Sequence, residues 1–325
     1  MKKILFVVIV AQMGILLATP TVTDVVAKQR YPWNGLVDIT CKVTGIEDPE
    51  LFRFCVDAVM LDEGVTNTVS QFWIVQNGTK QSKFTVIKNG DYSLIWDAKV
   101  DLGSVRCTNM IVCVTIADKY QKVQLWEGGP YWATTNIGAE KPEDYGYYFW
   151  WGDTVGYKRE NNSWVASDGS NSGFSFSGSN TPTYGKSISS LQSEGWITSD
   201  GVLAPEHDAA NIHWGNGWRM PTKDELEALN NNCDWTWTTQ NGVNGYVVKG
   251  RGTYASKSIF LPAAGSGYGA SLNNSGSHGR FWSSVPYSYD DYYAWDLYFY
   301  SSYHRTSNYY RYRGQSVRPL KGFTK

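Results

Sequence analysis

Apolar and polar residues alternate with a period of two in the first third of the chain. Every second residue is apolar from residue 37 to 43 and again from 52 to 60. Such alternation is typical of β-strands, because successive side chains point to opposite faces of a sheet. Six or seven short strands within about 90 residues predict a β-sandwich over residues 28–118, with a hairpin turn at Asn89 and Gly90. The further strands predicted here are 69–75, 83–87, 92–96 and 110–116.

The pattern changes in residues 119–325, where strand signals become irregular and stretches rich in glycine, serine and asparagine intervene. Thr222 and Glu225 form a capping-box pattern before an apolar stripe, which predicts a helix. A second short helix is predicted from Asp208 to about His213. Together these signals predict a fold that is mainly β with short helices (α+β). The strands predicted in this region lie within 123–138 and at 146–153, 245–249, 258–262, 280–284, 295–299 and 315–320.

Ten of the 22 tyrosines lie in one stretch near the C-terminus, separated by serine, asparagine, aspartate and arginine. Antibody paratopes use the same residues, because a tyrosine ring offers a large amphipathic contact area with only two torsions to fix. Alternatively, the rings simply cover neighbouring strands. We favour recognition because charged residues interleave with the rings instead of alternating cleanly against them. The candidate ligand-binding residues are Tyr287, Tyr289, Asp290, Asp291, Tyr292, Tyr293, Asp296, Tyr298, Tyr300, Tyr303, His304, Arg305, Asn308, Tyr309, Tyr310, Arg311 and Tyr312.

Residues 1–27 have the pattern of a secretory signal peptide. Two lysines precede an apolar run over residues 4–17, which is shorter than the ~20 residues that a membrane-spanning helix needs. Cleavage could follow Ala18 or Ala27, and the pattern leaves both sites open. The sequence therefore predicts a secreted protein, whether extracellular, periplasmic or at the cell surface, with no membrane insertion. Its net charge of -1 gives no general attraction to nucleic acid.

Export permits disulfide bonds among the five cysteines. Cys41, Cys55, Cys107 and Cys113 allow three pairings, and the sequence does not choose among them, although Cys107 and Cys113 are not expected to pair with each other. Cys233 stands alone in its half of the chain and is the expected free thiol. We favour a buried, inert thiol at this position over a reactive nucleophile.

Several motifs resemble known families. The segment Gly90–Asp97, GDYSLIWD, resembles the penultimate strand of bacterial immunoglobulin-like and fibronectin-like modules, which implies an immunoglobulin-like β-sandwich. Five later motifs occur in the order found in the Fibrobacter major paralogous domain, a family similar to formylglycine-generating enzymes and to C-type-lectin-like folds. The resemblance implies a C-type-lectin-like domain over residues 119–325. The motifs are WGNGWRMPTKDELEAL (214–229), IFLPAAG (259–265), FWSS (281–284), AWDLYF (294–299) and GQSVRPL (314–320).

In C-type-lectin-like folds, as the resemblance implies, the C-terminal strands and the loops between them build the ligand face. Residues 286–293 and 300–312 would then be variable loops, while Arg219 and Arg318 would be structural. The same region also resembles the diversified tips of retroelement-mutated receptors, and this alternative is kept open. The residues expected to point inward from the framework strands are Trp282, Trp295, Leu297 and Phe299.

Catalysis is not expected. Formylglycine-generating enzymes are expected to bind copper through a pair of C-terminal cysteines, and the second region contains only Cys233. The sequence has neither the GxSxG pattern of a nucleophile elbow nor the HExxH pattern of a zinc site. The resemblance therefore does not transfer the activity.

No cofactor is expected either. Residues 206–208 together with His213 could bind a metal ion, but Asp208 is better explained as the cap of a short helix. Calcium stays open as an alternative, held by side-chain oxygens of the DGSNSG loop at residues 168–173, for which a solvated glycine-rich loop is the favoured interpretation.

Taken together, these features predict an exported, non-enzymatic protein that binds a carbohydrate or a protein through its tyrosine-rich C-terminal face. Sugar binding needs no calcium, because aromatic rings stack on the apolar face of a pyranose while polar side chains bond its hydroxyls. The alternatives are a catalyst related to formylglycine-generating enzymes, a structural surface protein whose tyrosines mediate self-association, and a diversified receptor.

Overall fold

The computed structural model describes residues 20–46, 51–61, 64–76, 79–81, 84–103, 109–118, 120–170, 172–215 and 217–322. Most of the expected signal peptide, Cys107 and Asn171 lie outside these residues. Antiparallel strands predominate and the helices are short, which confirms the mainly β, α+β class. The chain divides into two compact units, Met1–Lys119 and Tyr120–Lys325.

The described part of the first unit consists of short strands and a single-turn helix. Its elements are β1 Thr21–Gln29, β2 Leu36–Thr44, β3 Leu51–Met60, β4 Val65–Thr68, β5 Phe72–Gln76, β6 Thr79–Gln81, β7 Phe84–Val86, β8 Gly90–Asp97, α1 Ala98–Leu102 and β9 Met110–Asp118.

These strands form two antiparallel sheets. One sheet has the strand order β1-β2-β8-β5-β6, and in the other β3 pairs with β4, β7 and β9. Ile39 and Trp96 of the first sheet share one cluster of buried side chains with Phe54 of the second. The apolar faces that the alternating pattern predicts are therefore buried against each other, as in a sandwich.

Two predictions for this unit are wrong in detail. Asn89 and Gly90 join β7 to β8, and because these strands belong to different sheets the pair does not close a hairpin. The Asn89 side chain instead bonds the backbone N–H and C=O of Ile46 at 2.9 and 2.8 Å. The strand predicted over 69–75 is interrupted at Ser70 and Gln71, whose N–H groups both donate to Asp101.

The position of β1 bears on the expected signal peptide. This strand begins at Thr21, pairs with β2 and buries Val25 and Ala27 in the core. Cleavage after Ala27 would remove most of β1 from its sheet. The folded unit thus begins no later than Thr21, and of the two cleavage positions that the sequence leaves open only the one after Ala18 keeps β1 intact.

The second unit is assembled from more and shorter sheets. Among its described residues, no helix is long and apolar enough to cross a lipid bilayer. Its elements are β10 Lys122–Gln124, β11 Tyr131–Ala133, β12 Tyr157–Glu160, β13 Ser163–Ala166, β14 Ser172–Phe174, α2 Ile188–Ser193, α3 Ala209–Trp214, β15 Trp218–Arg219, α4 Lys223–Asn232, β16 Asp234–Gln240, β17 Val243–Lys249, β18 Ser258–Pro262, β19 Ser266–Tyr268, β20 Ser271–Asn273, β21 His278–Pro286, β22 Tyr293–Tyr300, β23 Tyr303–Tyr310 and β24 Leu320–Lys321.

The helix predicted from its capping box is present as α4. Thr222 accepts the N–H of Glu225 at 3.3 Å, and the Glu225 carboxylate accepts the N–H of Thr222 at 2.8 Å. The same carboxylate, only 1% exposed, accepts two hydrogen bonds from the Arg219 guanidinium. Arg219 is therefore structural, because it neutralises a buried carboxylate that holds the start of α4.

The core beside α4 positions the C-terminal strands. Leu226 and Leu229 of α4 share a buried cluster with residues of β17 and β18 and with Leu297 and Phe299 of β22. Gly279 of β21 lies opposite Phe299, where a β-carbon would come within 2.0 Å of the ring. One face of the β21-β22-β23 sheet is thus sealed against α4, and only its other face is available for recognition.

The structure corrects three strand predictions in this unit. Residues 300–312, expected to be a variable loop, form β23, which pairs with β22 across eight residues on each strand. Residues 315–320 are mostly outside regular strands, although Gln315 and Ser316 form isolated bridges. Residues 146–153 likewise contribute only the bridges of Tyr148 and Phe149.

All four cysteines that the structure describes are free thiols. Cys41 and Cys233 are buried, and burial raises the pKa of Cys41 to about 11 and that of Cys233 to about 12. Both side chains are therefore protonated at neutral pH. This state agrees with the inert thiol expected at Cys233 and does not favour a nucleophile.

Candidate functional site

The exposed part of the C-terminal sheet carries a compact group of tyrosine and arginine side chains. On the face directed away from α4, residues of β21, β22 and β23 line up in cross-strand rows. Adjacent strands in a sheet lie ~4.8 Å apart and successive rows on one face ~7 Å apart, so two rows of three form a continuous surface. We call this surface the tyrosine–arginine platform. It consists of His278, Tyr300 and Tyr303 in one row and of Arg280, Tyr298 and Arg305 in the next.

The rings of the platform contact one another. The His278 ring stacks on Tyr298 with centroids 5.9 Å apart, and Tyr300 lies 5.7 Å from Tyr303. Tyr303 is 40% exposed, while Tyr298 and Tyr300 are half-buried. The hydroxyls of these three tyrosines form no hydrogen bond with any residue that the structure describes. The platform therefore presents fixed rings whose hydroxyls can still bond a ligand.

Arg280 anchors the platform to the core. Its guanidinium lies 4.2 Å from the ring centre of Tyr298 and 3.7 Å from that of Tyr309. It also donates to the buried carboxylate of Asp296 at 2.6 Å, and Gln315 donates to the same oxygen at 3.1 Å. Burial raises the pKa of Asp296, and the charge of Arg280 opposes that rise. The ion pair thus holds Arg280 between two rings.

Arg313 extends this arrangement beyond the platform. Its guanidinium lies 3.9 Å from the ring centre of Tyr268, 5.1 Å from that of Tyr309 and 5.5 Å from that of Tyr312. Tyr309 therefore lies against both Arg280 and Arg313. Arginine and tyrosine alternate along the sheet, each cation lying against at least one ring.

The remaining tyrosines gather around the connection between β21 and β22. Asp290 caps this turn by accepting the N–H of Tyr292 at 2.9 Å, and Asp291 is exposed. Tyr289 is 85% exposed and Tyr292 is 47% exposed. The other rings pack on each other, as in the 4.3 Å contact between Tyr293 and Tyr310. We call this group the turn cluster; it comprises Tyr184, Tyr287, Tyr289, Tyr292, Tyr293, Tyr310 and Tyr312.

Asp296 and Arg311 were predicted to contact ligand, and the structure corrects both. Each side chain is fully buried, so neither can reach a molecule on the surface of the sheet. Arg311 donates to the backbone carbonyls of Tyr293, Thr183 and Lys186 at 2.7–2.9 Å. It therefore ties the segment before α2 to the C-terminal strands, and burial lowers the pKa of its guanidinium to about 10.

His304 and Asn308 were also predicted to contact ligand, but they lie on the sealed face of the sheet. His304 stacks on Trp235 with centroids 4.4 Å apart, and its Nδ1 lies 3.0 Å from the Asn230 side-chain oxygen of α4. Asn308 pairs with Trp295 on the same face. The alternation along β23 thus directs Tyr303 and Arg305 to the platform and directs His304 and Asn308 towards α4.

Asp208, for which a helix cap was favoured over a metal site, caps α3. Asp208 accepts the N–H groups of Ala210 and Asn211 at the start of α3 and that of Met220 at 2.9 Å. Burial raises the pKa of Asp208 to about 6. His207 stacks on Trp196 instead of turning towards Asp208. Among the described residues, no group of three or more His, Cys, Asp or Glu side chains is arranged to hold a metal ion.

The calcium alternative concerned the DGSNSG loop. Asp168 accepts the N–H of Ser170 at 2.8 Å, which closes a local turn. Asn171 lies outside the described residues. This local hydrogen bond agrees with the favoured interpretation of a solvated, glycine-rich loop.

A family model described as a domain of unknown function, DUF8237, matches residues 234–320. No curated protein and no solved structure matches the chain. The matched segment begins at β16 and includes β21, β22 and β23 in full, so it contains every residue of the platform. It does not contain α4, which seals the other face of the sheet.

Several residues that shape the surface were not predicted from the sequence. His278 and Arg280 have the same parity as Trp282, which was expected to point inward with Leu297. In the structure Trp282 pairs with Asp296 and shares the parity of the platform, so the expected parity of this strand would have assigned both residues to the wrong face. Tyr184, Tyr268 and Arg313 come from segments distant in sequence or outside regular strands. No local signal identifies them, because tertiary packing brings them to the site.

Proposed function

We propose that the protein is an exported, non-enzymatic binding protein that recognises a carbohydrate through the tyrosine–arginine platform. The observation that carries the proposal is the arrangement of Tyr298, Tyr300 and Tyr303, three adjacent and partly exposed rings on a regular sheet. Flat rings offer stacking surfaces for the apolar face of a sugar, and their hydroxyls can bond its hydroxyl groups.

The rigidity of the platform supports this function. The three rings stand on paired strands, and Arg280 packs between two rings while bonded to a buried carboxylate. A ligand that binds such a surface does not have to order it first, which saves the entropy of fixing mobile side chains. The turn cluster is less suited to a sugar, because its exposed rings, Tyr289 and Tyr292, lie on the connection between β21 and β22 and not on paired strands.

The proposal also covers the two domains. The order of the five sequence motifs favours a C-type-lectin-like domain of the Fibrobacter major paralogous type, and the first unit is proposed to be an immunoglobulin-like module that precedes it. The two motif arginines, Arg219 and Arg318, make buried structural contacts, which gives these motifs a role in folding. The N-terminal pattern supports export, and the buried, protonated Cys233 supports binding without catalysis.

A glycan array tests the proposal. We expect the purified protein to bind at least one glycan, and Tyr303→Ala to weaken that binding about tenfold or more, since exposed aromatic anchors are frequent hot spots. The double substitution Tyr300→Ala with Tyr303→Ala should reduce the signal further. EDTA should leave binding unchanged, because the platform contains no carboxylate that could hold calcium.

Tyr131→Ala is the matched control. Tyr131 lies on β11 in a different sheet and is 41% exposed, close to the 40% of Tyr303, so the two substitutions remove similar rings. An equal loss in both variants would contradict a site on the platform. Binding to a mucin that survives removal of its glycans would show protein recognition instead. A difference in oligomer size between Tyr303→Ala and the wild-type protein, measured without ligand, would favour self-association.

A further inference from the structure

The charges around the platform are not balanced. Arg280 is neutralised by Asp296 at 2.6 Å, and Asp296 is itself fully buried. No carboxylate among the described residues lies within 4.0 Å of the Arg305 or Arg313 guanidinium. Neither row of the platform contains an acidic residue. The surface that offers the rings is therefore cationic, although the whole chain has a net charge of -1.

The unpaired charge lies beside the exposed ring. Arg305 is exposed, occupies the row next to Tyr303 and has its guanidinium 5.6 Å from the centre of that ring. Arg313 adds a second unpaired guanidinium against Tyr268 and Tyr309. A ligand whose sugar stacks on Tyr300 and Tyr303 would thus place its substituents within reach of Arg305.

We propose that the ligand is an acidic glycan whose carboxylate or sulfate groups bind Arg305 while a pyranose ring stacks on Tyr300 and Tyr303. This inference rests on the proposed carbohydrate function and adds the charge of the ligand. A guanidinium binds a planar carboxylate or a sulfate through paired, charge-assisted hydrogen bonds, which are stronger than bonds to neutral hydroxyls. Arg280 is held by Asp296 and contributes packing.

A nucleic acid is the other polyanion that combines with tyrosine and arginine. Proteins that bind single strands line a long positively charged groove, so that several phosphates are neutralised at once. Here Asp296 neutralises Arg280, and the two remaining guanidinium groups, of Arg305 and Arg313, lie against different rings. The short platform with one cation beside its exposed ring fits an acidic sugar better.

The test compares one polysaccharide in two charge states. Polygalacturonate carries a carboxylate on every sugar, and its methyl ester has the same backbone without the charge. We expect wild-type protein to bind the acid form more tightly, and Arg305→Gln to weaken that binding about tenfold while leaving binding to the ester unchanged. Raising the salt concentration from about 0.05 to 0.3 M should weaken binding to the acid form only.

Lys249→Gln is the matched control, because it removes one positive charge from an exposed position on β17, in a different sheet. It should leave both affinities unchanged. A sulfated glycosaminoglycan in a parallel arm distinguishes sulfate from carboxylate as the preferred group. Single-stranded DNA is the competing polyanion.

The outcomes separate the two proposals. Equal binding of acid and ester, unaffected by Arg305→Gln but lost in Tyr303→Ala, would overturn the acidic ligand and keep the carbohydrate function. DNA binding as tight as that of the best glycan would also overturn the inference. If no glycan binds, both proposals fail. An equal loss in Arg305→Gln and Lys249→Gln would show a nonspecific charge effect and contradict the assignment to Arg305.

Discussion

Arg280→Met is expected to lower the free energy of unfolding by about 3–5 kcal/mol, the usual cost of breaking a buried ion pair from one side. The substitution leaves the Asp296 carboxylate in the core with only Gln315 as a hydrogen-bond donor, and it removes the cation between Tyr298 and Tyr309. Urea denaturation followed by tryptophan fluorescence measures the loss, since twelve of the fifteen tryptophans lie in the second unit.

The double variant Arg280→Met with Asp296→Leu is the control. It removes both charges, and replacing a buried pair with apolar residues of similar volume is often neutral. The double variant should therefore regain most of the free energy of unfolding that the single variant loses.

The loss of unfolding free energy in the single variant Arg280→Met should also depend on pH. Its unpaired Asp296 has a raised pKa when folded, so its cost is greatest at neutral pH and shrinks as the pH falls towards the unfolded value of about 3.9. A loss under about 1 kcal/mol at neutral pH would contradict this account of Arg280.

Arg318→Met is expected to have a comparable effect, a loss of about 3–5 kcal/mol. The Arg318 guanidinium is 1% exposed and donates to the Asn136 side chain and to the carbonyls of Ala133 and Phe260 at 2.8, 3.1 and 2.9 Å. Methionine fills part of the volume but leaves these three buried acceptors without that donor, and we expect each to cost near the lower end of the about 1–3 kcal/mol of an unsatisfied buried group. Hydrogen exchange should report local opening around Ala133 and Phe260.

Arg251→Met is the control for Arg318→Met. Arg251 also makes three hydrogen bonds, to Asp234, Asn231 and Cys233, but its side chain is 53% exposed. Water can replace the lost donor there, so the cost should stay within about 1 kcal/mol. Equal losses in the two variants would show that burial does not determine the effect. Burial lowers the pKa of Arg318 to about 9, which still leaves its guanidinium charged at neutral pH.

Local patterns in the sequence predicted those elements whose cause is local. The alternation over residues 52–60 predicted a strand that is present as part of β3, and the Thr222–Glu225 pattern predicted α4 together with its reciprocal hydrogen bonds. Asp208 was likewise expected to cap a helix and does so. In each case the hydrogen bonds or the buried face involve residues within a few positions of one another.

β23 shows how composition can mislead. Its tyrosine, serine, asparagine and arginine residues resemble a recognition loop, yet tyrosine also favours strands, and pairing with β22 decides the conformation. Only the parity of residues along this strand separates Arg305, on the platform, from His304, which is sealed against α4.

Asp296 shows a second limit of the sequence. Its parity places it on the same face as Tyr298, as predicted, but Gln315 and Arg280 contact it and bury it completely. Whether one end of a strand face is exposed depends on segments far away in the sequence. Such coverage has no signature in the strand itself, so the sequence predicted the aromatic sheet more reliably than it predicted which side chains reach solvent.

Recognition by the tyrosine–arginine platform is tested most directly by an NMR titration of protein with ¹³C-labelled tyrosine rings, using the glycan that gives the strongest array signal. We expect the ring signals of Tyr298, Tyr300 and Tyr303 to shift with a common dissociation constant, and the ring signal of Tyr131 on β11 to stay unchanged. Shifts confined to Tyr289 and Tyr292 of the turn cluster, or no shifts in the three platform rings at saturating glycan, would contradict it.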